Sequence, residues 1–323
     1  MSLHMSALAN AHLPDEQTSA FARDVVAGLS DQPKRLSPKY FYDAAGSELF
    51  EQITRLPEYY PTRTELGILR DRGADIAAII PEKAALIEFG AGATTKVRLL
   101  LQSCTFSAYV PVDISGEFLN AQAEALRQDF PALTVHPVTA DFTTSFKLPD
   151  AIKDLPKVGF FPGSTIGNFE PHEAYRFLRS AREILGVGAL MIVGVDLEKD
   201  ERVLHAAYND AAGVTARFNL NLLVRANREL GGNFDVSAFV HRAIYNREQH
   251  RIEMHLIAKK PQTVRLLGTS LHFRAGESIH TENSYKYSIE RFAALARSSS
   301  WTVRSVWTDA AKMFSVQALV AEA

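Results

Sequence analysis

The sequence predicts an α/β fold built around a parallel β-sheet, and two observations lead to this prediction. Short apolar runs alternate with helical patterns through the middle of the chain, which is typical of parallel sheets with right-handed crossovers. The runs lack polar alternation, as expected for strands that are covered on both faces. They are 85–89, 109–113, 133–138, 158–161 and 190–195.

The pattern changes after Asp196 and predicts a second domain. Residues 200–228 have a helical pattern that is interrupted at Gly213, and the glycines at 231–232 end it. In 251–256, polar and apolar residues alternate strictly, which indicates a strand in a sheet with one wet face. Further strands are expected at 264–267 and 271–273, a helix at 288–297, and a closing strand pair at 302–307 and 314–320.

These patterns predict how the 323 residues divide into domains. We expect residues 64–197 and 288–323 to form the parallel α/β core. Residues 198–287 are expected to form an inserted second domain of α+β character. Residues 1–63 are expected to form an N-terminal helical segment that joins this second domain.

Composition excludes several classes of function. With 46% hydrophobic and 22% charged residues, the chain resembles an ordinary globular protein, and its net charge of -2 is near zero. The chain has no long basic run, so we expect no nucleic-acid partner. No apolar stretch reaches membrane-spanning length, so we expect no membrane association. The histidines lack H-x-H and H-E-x-x-H spacing, so we expect no metal site.

Two features predict a cytoplasmic protein. The lone cysteine, Cys104, cannot form an internal disulfide, which favours a reducing compartment. Its surroundings carry no motif, so we interpret it as a packed, inert thiol. The first fifteen residues lack the charged-then-apolar order of a signal peptide.

Glycines follow the first strand of the predicted sheet. Gly90 and Gly92 come directly after 85–89, where glycine lets the backbone approach a ligand closely. Two glycines at this position are also compatible with a tight turn alone. The dinucleotide-binding fingerprint G-x-G-x-x-G requires a third glycine where this chain has Thr95, which weakens the interpretation as an NAD site.

Polar side chains near the ends of these strands suit a nucleoside ligand. Asp113 ends the second strand and can accept both ribose hydroxyls of NAD or of S-adenosylmethionine. Asp141 can accept from an adenine amine beside the apolar wall of Phe142, although a turn or helix N-cap explains Asp141 equally well. Lys96 can pair with the methionine carboxylate of S-adenosylmethionine, or be a solvated helix lysine. Because the carboxyl ends of parallel strands meet, we expect these residues to line one crevice.

Five motifs are spread along the chain from about residue 20 to the C-terminus. They are KYFYDAAGSELF (39–50), ITRLPEYYPTRTE (53–65), GSTIGN (163–168), YNDAAGVT (208–215) and TENS (281–284). Together they resemble the histidine-specific Nα-methyltransferases, which form hercynine in ergothioneine biosynthesis. A wider group of relatives shares the second motif, and some of these act on other amino acids such as tryptophan derivatives.

The resemblance implies a fold and a cofactor. The fold is a class I S-adenosylmethionine methyltransferase core with a Rossmann-like sheet and an inserted α+β substrate domain. The cofactor is S-adenosyl-L-methionine. The resemblance implies that the cofactor contacts Gly90, Lys96, Asp113, Asp141 and Phe142. The argument from glycines at a strand end adds Gly92 to these contacts.

The resemblance also implies which residues bind the substrate. Asn168 and Tyr208 would hold the amine and carboxylate end of histidine. Tyr42 would lie near the amine, so that Asn168 and Tyr42 are the candidate catalytic residues. Asn168 suits this role because an amide both donates and accepts hydrogen bonds, although a turn residue is an alternative.

The imidazole is assigned to Tyr59, Glu282 and Ser284 by the same resemblance. Glu282 and Ser284 are spaced i, i+2, which puts both side chains on one face of an extended segment. Glu282 can accept the proton of one ring nitrogen and Ser284 can serve the other. Spacing alone favours two solvent-facing residues instead. Met254 is a candidate wall of the pocket, with core packing as an equal interpretation.

The sequence therefore predicts a monomer that trimethylates the α-amine of L-histidine in three steps. One alternative is N-methylation of another amino acid or amine, such as a tryptophan derivative. Two others are an NAD-dependent oxidoreductase and a catalytically inactive amino-acid-binding protein. The binding protein would not need to keep Gly90, Asp113 and Asp141, which are all present.

Overall fold

The structure is a computed structural model that describes residues 16–323, with side chains from residue 20 onward except that of Phe118. The first fifteen residues lie outside the described residues. This range includes the start of the predicted N-terminal segment and the stretch interpreted as lacking a signal-peptide pattern.

Helices and strands follow one another closely along the described chain. The α-helices are α1 (Glu16–Ser30), α2 (Ala44–Thr54), α3 (Tyr60–Asp71), α4 (Gly73–Ala77), α5 (Thr95–Ser103), α6 (Gly116–Asp129), α7 (Pro171–Leu185), α8 (Glu201–Tyr208), α9 (Val214–Leu230) and α10 (Ile289–Ser298). Short 3-10 helices span Pro38–Phe41, Asp150–Ile152, Thr165–Asn168 and Val236–Ala238.

The β-strands form three sheets. They are β1 (Lys34–Arg35), β2 (Ala85–Phe89), β3 (Ala108–Asp113), β4 (Thr134–Val135), β5 (Val138–Thr139), β6 (Lys157–Phe161), β7 (Leu190–Asp196), β8 (Phe239–Asn246), β9 (Arg251–Ala258), β10 (Gln262–Leu266), β11 (Thr269–Phe273), β12 (Ser278–Tyr285), β13 (Trp301–Thr308) and β14 (Phe314–Ala321). A four-stranded sheet has the order β1-β12-β9-β8, and β10 pairs with β11.

The largest sheet has eight strands in the order β13-β14-β7-β6-β2-β3-β4, with β5 also pairing with β3. The strands from β2 to β7 pair in parallel, whereas β14 runs antiparallel to both β7 and β13. The order reverses between β2 and β6, and ligands bind at such a switch point in open α/β sheets. The Rossmann-like sheet predicted from the sequence is confirmed.

Two hydrophobic cores cover this sheet. On β2, Ala85, Ile87 and Phe89 belong to one core, whereas Leu86 belongs to the other. Side chains alternate across a strand, so the two cores lie on opposite faces of the sheet. Helices α7 and α10 contribute to the first core, and α3, α5 and α6 contribute to the second. Because both faces of the sheet are covered, the sequences of its strands are continuous apolar runs.

Most predicted elements are confirmed, with one local exception. The predicted helical stretch that is interrupted at Gly213 forms α8 and α9, and the closing strand pair is β13 and β14. The third apolar run, by contrast, is divided into β4 and β5. Pro137 lies between them and has no N–H to donate to a ladder, which accounts for the interruption.

The chain separates into two compact units. Of the described residues, unit 1 comprises 16–50, Val214–Arg242 and Met254–Glu282, and unit 2 comprises Glu51–Gly213, Ala243–Glu253 and Asn283–Ala323. The eight-stranded sheet lies in unit 2 and the β10–β11 pair lies in unit 1. These bounds differ in detail from the predicted domains at 1–63, 64–197 with 288–323, and 198–287. The functional roles predicted for those domains remain predictions.

Two smaller observations bear on the sequence analysis. Cys104 is buried, and burial raises the pKa of its thiol to about 11, which agrees with an inert thiol. Among the helices of residues 16–323, none combines the length and apolar character that crossing a bilayer requires.

Candidate active site

The glycine turn after β2 leaves room for a ligand. Gly90 has a φ of +74°, and the N–H groups of Gly90 and Ala91 donate to the Val112 carbonyl oxygen. A Cβ atom built on Gly90 would lie 3.1 Å from Phe142, whereas one built on Gly92 would meet nothing within 4 Å. The predicted cofactor residues Gly90 and Phe142 are therefore neighbours, and the backbone at Gly92 borders open space.

Asp113 ends β3 close to this turn. Its Oδ1 accepts from the Ser115 N–H at 2.8 Å. Burial raises the pKa of Asp113 above its ordinary value, and the N–H groups of Ser115 and Ile114 oppose this rise. The register pairs Asp113 with Thr139 at the end of β5, so the residues that follow both strands lie at one edge of the sheet.

Asp141 takes part in a turn just beyond β5. Its Oδ1 accepts from both the backbone N–H and the side-chain hydroxyl of Thr143, at 2.9 and 2.6 Å. The turn role considered in the sequence analysis is thus present. Both of these hydrogen bonds use Oδ1 of the carboxylate.

Phe142 lies within a cluster of aromatic rings. Its ring centroid is 5.7 Å from that of Phe161 and 5.9 Å from that of Phe177. Such a cluster gives a rigid apolar surface beside the glycine turn. The chemistry of these groups fits a nucleoside: a close-approach glycine, an apolar wall and a carboxylate.

Lys96 lies in the first turn of α5 and pairs with a buried acid. Its Nζ is 2.6 Å from Oε2 of Glu65, which is 1% exposed. Glu65 also accepts from the Gly163 N–H at 2.9 and 3.0 Å. Because an ammonium group carries three donors, this ion pair leaves Lys96 capacity for a further carboxylate.

Glu88 is a second buried acid in the same region. It lies on β2 and accepts a hydrogen bond from the Tyr109 hydroxyl. Burial raises the pKa of Glu88 to about 7, the Tyr109 hydrogen bond and nearby Lys96 oppose this shift, and the negative charges of Glu65 and Asp113 add to it. Perturbed carboxyl groups of this kind cluster at functional sites.

The segment after β6 positions Asn168. Gly163 and Ser164 adopt positive φ values of 84° and 55°, which turn the chain sharply at the end of the strand. The Ser164 Oγ accepts from the Asp196 N–H at 2.9 Å and ties this turn to the end of β7. Asn168 ends the following 3-10 helix and is half-buried. It therefore lies at the ligand-binding edge of the sheet.

A buried charge network lies at the end of β7. Asp196 is 1% exposed and accepts from the Tyr60 hydroxyl, from Lys199 and from Lys286. Lys286 and Lys199 hold the pKa of Asp196 below its ordinary value, although burial acts in the opposite direction. Burial lowers the pKa of Lys199 to about 8.

Tyr208 and Ser284 meet at this network. Their hydroxyl oxygens are 2.7 Å apart, and Lys286 donates to both, at 3.0 and 2.8 Å. The ring of Tyr59 packs edge-on against that of Tyr208, with centroids 6.3 Å apart. Three residues predicted to bind substrate are thus neighbours in unit 2.

Three further predicted residues lie in unit 1. Tyr42 is 45% exposed and packs edge-on against Phe50 and Phe218. Met254 is buried on β9 at 2% exposure, and Glu282 is buried on β12 at 8% exposure. Their roles in substrate binding remain predictions.

The burial of β12 corrects the alternative that Glu282 and Ser284 face solvent. On spacing alone, Glu282 and Ser284 were expected to face solvent, yet they are only 8% and 4% exposed. Polar side chains this deeply buried require hydrogen-bonding partners. For Ser284 these partners are Tyr208 and Lys286. Within residues 16–323, no group of three or more His, Cys, Asp or Glu side chains is placed to hold a metal ion.

Comparison with known proteins assigns the family. Residues 21–321 match the family described as "Histidine-specific methyltransferase, SAM-dependent". The chain belongs to this family. The chain is also 41% identical to "Histidine N-alpha-methyltransferase" of Mycolicibacterium smegmatis, over 97% of this chain and 98% of the relative.

Two other similarities are more distant. The chain is 31% identical to "Ergothioneine biosynthesis protein 1" of Neurospora crassa, over 86% of this chain but only 32% of that larger protein. Among solved structures, it is similar to an S-adenosylmethionine-dependent methyltransferase from Clostridium acetobutylicum ATCC 824. That match has a TM-score of 0.44 and 10% identity, and it covers 80% of this chain and 92% of the other.

Sequence reasoning did not single out five buried charged residues near the candidate site of this methyltransferase. They are Glu65, Glu88, Asp196, Lys199 and Lys286. Signals for some of them exist, because an acid within or directly after an apolar strand is unusual. Lys286 also continues the i, i+2 alternation of Glu282 and Ser284. No pattern in the sequence shows that these charges belong to shared networks, because their partners are distant in the chain.

Proposed function

We propose that this protein transfers methyl groups from S-adenosylmethionine to the α-amine of L-histidine and forms hercynine after three transfers, as a step of ergothioneine biosynthesis. The match to the family over residues 21–321 carries this proposal. The buried hydroxyl pair of Tyr208 and Ser284 supports it, because both residues lie in motifs by which the chain resembles the family.

S-adenosylmethionine supplies an electrophilic methyl group on a sulfonium. In this proposal the backbone at Gly90 and Gly92 passes close to the cofactor, and Asp113 accepts from its ribose hydroxyls. Phe142 covers the adenine, with Asp141 as the acceptor for its amine. Lys96, which already bonds Glu65, donates to the carboxylate of its methionine part.

The amine needs a free lone pair before it can react. Enclosure away from water disfavours the ammonium form and lowers its pKa, so the site requires no strong general base. Asn168, held by the turn after β6, binds the amine and carboxylate end together with Tyr208, and Tyr42 lies near the amine. Alignment of the nitrogen with the methyl group then supplies much of the rate enhancement.

The side chain of the substrate is selected by the remaining residues. Glu282 accepts the proton of one imidazole nitrogen and Ser284 addresses the other, while Tyr59 and Met254 cover the ring. A pocket that hydrogen-bonds a ring N–H strongly rejects analogues that lack it. We propose further that the protein acts as a monomer in the cytoplasm.

Product analysis tests this function. The protein is incubated with S-adenosylmethionine and single amino acids, and trimethylated histidine is the product expected by mass spectrometry. Glu282→Ala should abolish most of the histidine activity. Glu277→Ala is the matched control. Glu277 is an acid that directly precedes β12, the strand that carries Glu282, and it pairs with Lys34. Activity on another amine that Glu282→Ala leaves unchanged would support the alternative substrate class instead.

A further inference from the structure

Lys286 is a fully buried ammonium group whose donors are all used. It is 0% exposed, and its Nζ lies 2.7 Å from Asp196 Oδ2, 2.8 Å from Ser284 Oγ and 3.0 Å from the Tyr208 hydroxyl. An ammonium has three N–H donors and no acceptor, so these three contacts account for every donor. Burial disfavours the charged form, but Asp196 and Tyr208 raise the pKa of Lys286 above its ordinary value.

The fixed charge of Lys286 determines how the neighbouring hydroxyls share their protons. Ser284 Oγ and the Tyr208 hydroxyl both accept from Lys286, and they also bond each other at 2.7 Å. A phenol is far more acidic than an aliphatic hydroxyl and is the better donor. Either hydroxyl could donate in this pair, and the greater acidity of the phenol favours Tyr208 as the donor to Ser284. Ser284 then accepts two hydrogen bonds, and only its own O–H remains to interact with a ligand.

We propose that Lys286 is a positioning residue that makes Ser284 an obligate hydrogen-bond donor, so that the site selects histidine with a neutral imidazole. The proposal rests on the proposed function, in which Ser284 and Glu282 address the imidazole. It also assigns the Tyr208 proton to Ser284, so that Asn168, and not Tyr208, donates to the carboxylate of the substrate.

A neutral imidazole matches this arrangement. One of its nitrogens carries a proton and the other carries a lone pair, so Glu282 can accept from the first while Ser284 donates to the second. An imidazolium carries a proton on both nitrogens, and its second N–H would face the Ser284 O–H. Histidine that is protonated in solution must therefore release its ring proton to the buffer when it binds.

The charged groups around Lys286 do not titrate in the range where imidazole does. The titratable groups that face it are Asp196 on β7, Lys199 after β7, Tyr60 on α3, Tyr208 on α8 and Tyr245 on β8. The pKa of Asp196 is below its ordinary value, that of Lys199 is about 8, and burial raises those of Tyr60 and Tyr245. From about pH 5.5 to pH 7, imidazole with its pKa near 6.5 changes charge while these four groups keep theirs.

Calorimetry on the wild-type protein tests the selection of a neutral ring. Histidine is titrated into protein saturated with S-adenosylhomocysteine at about pH 5.5, in two buffers of different ionisation enthalpy. The reference ligand is 3-(1,2,4-triazol-3-yl)alanine, which has the same α-amine but a ring that stays neutral. We expect histidine to release more protons than the reference, since most of its rings are protonated at this pH. Equal proton release by the two ligands would overturn the proposal.

Substitution of Lys286 tests its positioning role. In Lys286→Met, Ser284 can rotate and accept, so the extra proton release should disappear. The KM for histidine should rise about 10- to 100-fold, with a smaller change in kcat and unchanged affinity for S-adenosylhomocysteine. Lys199→Met is the matched control, since Lys199 also bonds Asp196 and Tyr60 but donates to neither Ser284 nor Tyr208 in the described structure. It should keep the extra proton release.

The outcomes separate this proposal from the proposed function. If the wild type forms no methylated histidine, the function is wrong. If it methylates histidine but Lys286→Met and Lys199→Met behave alike, only the role of Lys286 is wrong. Should Lys286→Met fail to fold, Ser284→Ala tests the donor role of Ser284, because it removes the donor and should also abolish the extra proton release. Extra proton release that persists in Ser284→Ala would overturn the proposal.

Discussion

Single residues in the turn after β2 serve different purposes, although they look alike in the sequence. Gly90 is needed for the backbone itself, because its φ is +74° and Phe142 lies against its α-carbon. Gly92 has no such constraint, since a Cβ atom there would meet nothing within 4 Å. Folding therefore accounts for Gly90, whereas the proposed cofactor accounts for Gly92.

Alanine substitutions separate these two purposes. Gly90→Ala should lower the free energy of unfolding by at least about 1 kcal/mol, because an L-residue is strained at this φ. Gly92→Ala should change it by less than about 1 kcal/mol but weaken binding of S-adenosylhomocysteine. Urea denaturation and calorimetry measure the two effects. Unchanged binding to Gly92→Ala would mean that the cofactor does not approach this backbone.

Glu65 connects two parts of the proposed site. Its buried carboxylate accepts from Lys96 and from the Gly163 N–H. Glu65→Gln keeps the shape but removes the charge, so we expect a loss of about 2 kcal/mol in the free energy of unfolding. The matched control is Glu201→Gln, because Glu201 pairs with Arg247 on the surface and such exposed pairs contribute little. Equal losses in the two variants would contradict a special role for Glu65.

The position of some site residues could be predicted from the neighbouring sequence, whereas the position of others could not. Asp113 ends one strand and Asn168 comes after another, so their position at the ligand-binding edge could be predicted. The burial of Ser284 could not be predicted, because its partners Tyr208 and Lys286 come from other segments. Spacing describes one strand, whereas burial depends on what packs against that strand.

Among the elements, β2 carries an unusual charge into the core. The folded protein holds Glu88 with a pKa of about 7, above the ordinary value of 4.5. Between these values the folded state binds a proton that the unfolded state has released. The contribution of Glu88 to stability is therefore fully present below about pH 4.5 and is lost as the pH rises to 7.

Replacement of the Glu88 carboxyl group should make the free energy of unfolding depend less on pH between about pH 4.5 and pH 8. The free energy of unfolding of Glu88→Gln relative to wild type should rise by roughly 3 kcal/mol between about pH 4.5 and pH 8, from the difference between the two pKa values. Urea denaturation of both proteins across this range measures the difference. A constant difference would show that Glu88 titrates normally in the fold.

Most elements were predictable because burial on both faces gives a clear pattern. The five apolar runs all became strands of the eight-stranded sheet. The third run was interrupted at Pro137, a breaker that the apolar pattern concealed. Boundaries between compact units were harder to predict, because most of them fall inside an element, where the local pattern does not change. Three fall within strands β8, β9 and β12, and one falls within helix α2.

At the scale of the whole molecule, ligand-induced stabilisation distinguishes the cofactor classes. A ligand at about 100 times its Kd stabilises the folded state by about 2.7 kcal/mol. S-adenosylhomocysteine should therefore raise the melting temperature by several degrees, and histidine should raise it further. NADH should have no effect, because Thr95 replaces the third glycine of the dinucleotide fingerprint. A shift with NADH alone would contradict the proposed cofactor.

A crystal structure with both S-adenosylhomocysteine and histidine tests the account most directly. The account predicts the adenosyl group against Gly90 and Phe142, and the α-amine beside Asn168. It also predicts the imidazole within hydrogen-bonding distance of Glu282 and Ser284. An imidazole bound away from these two side chains would contradict the account.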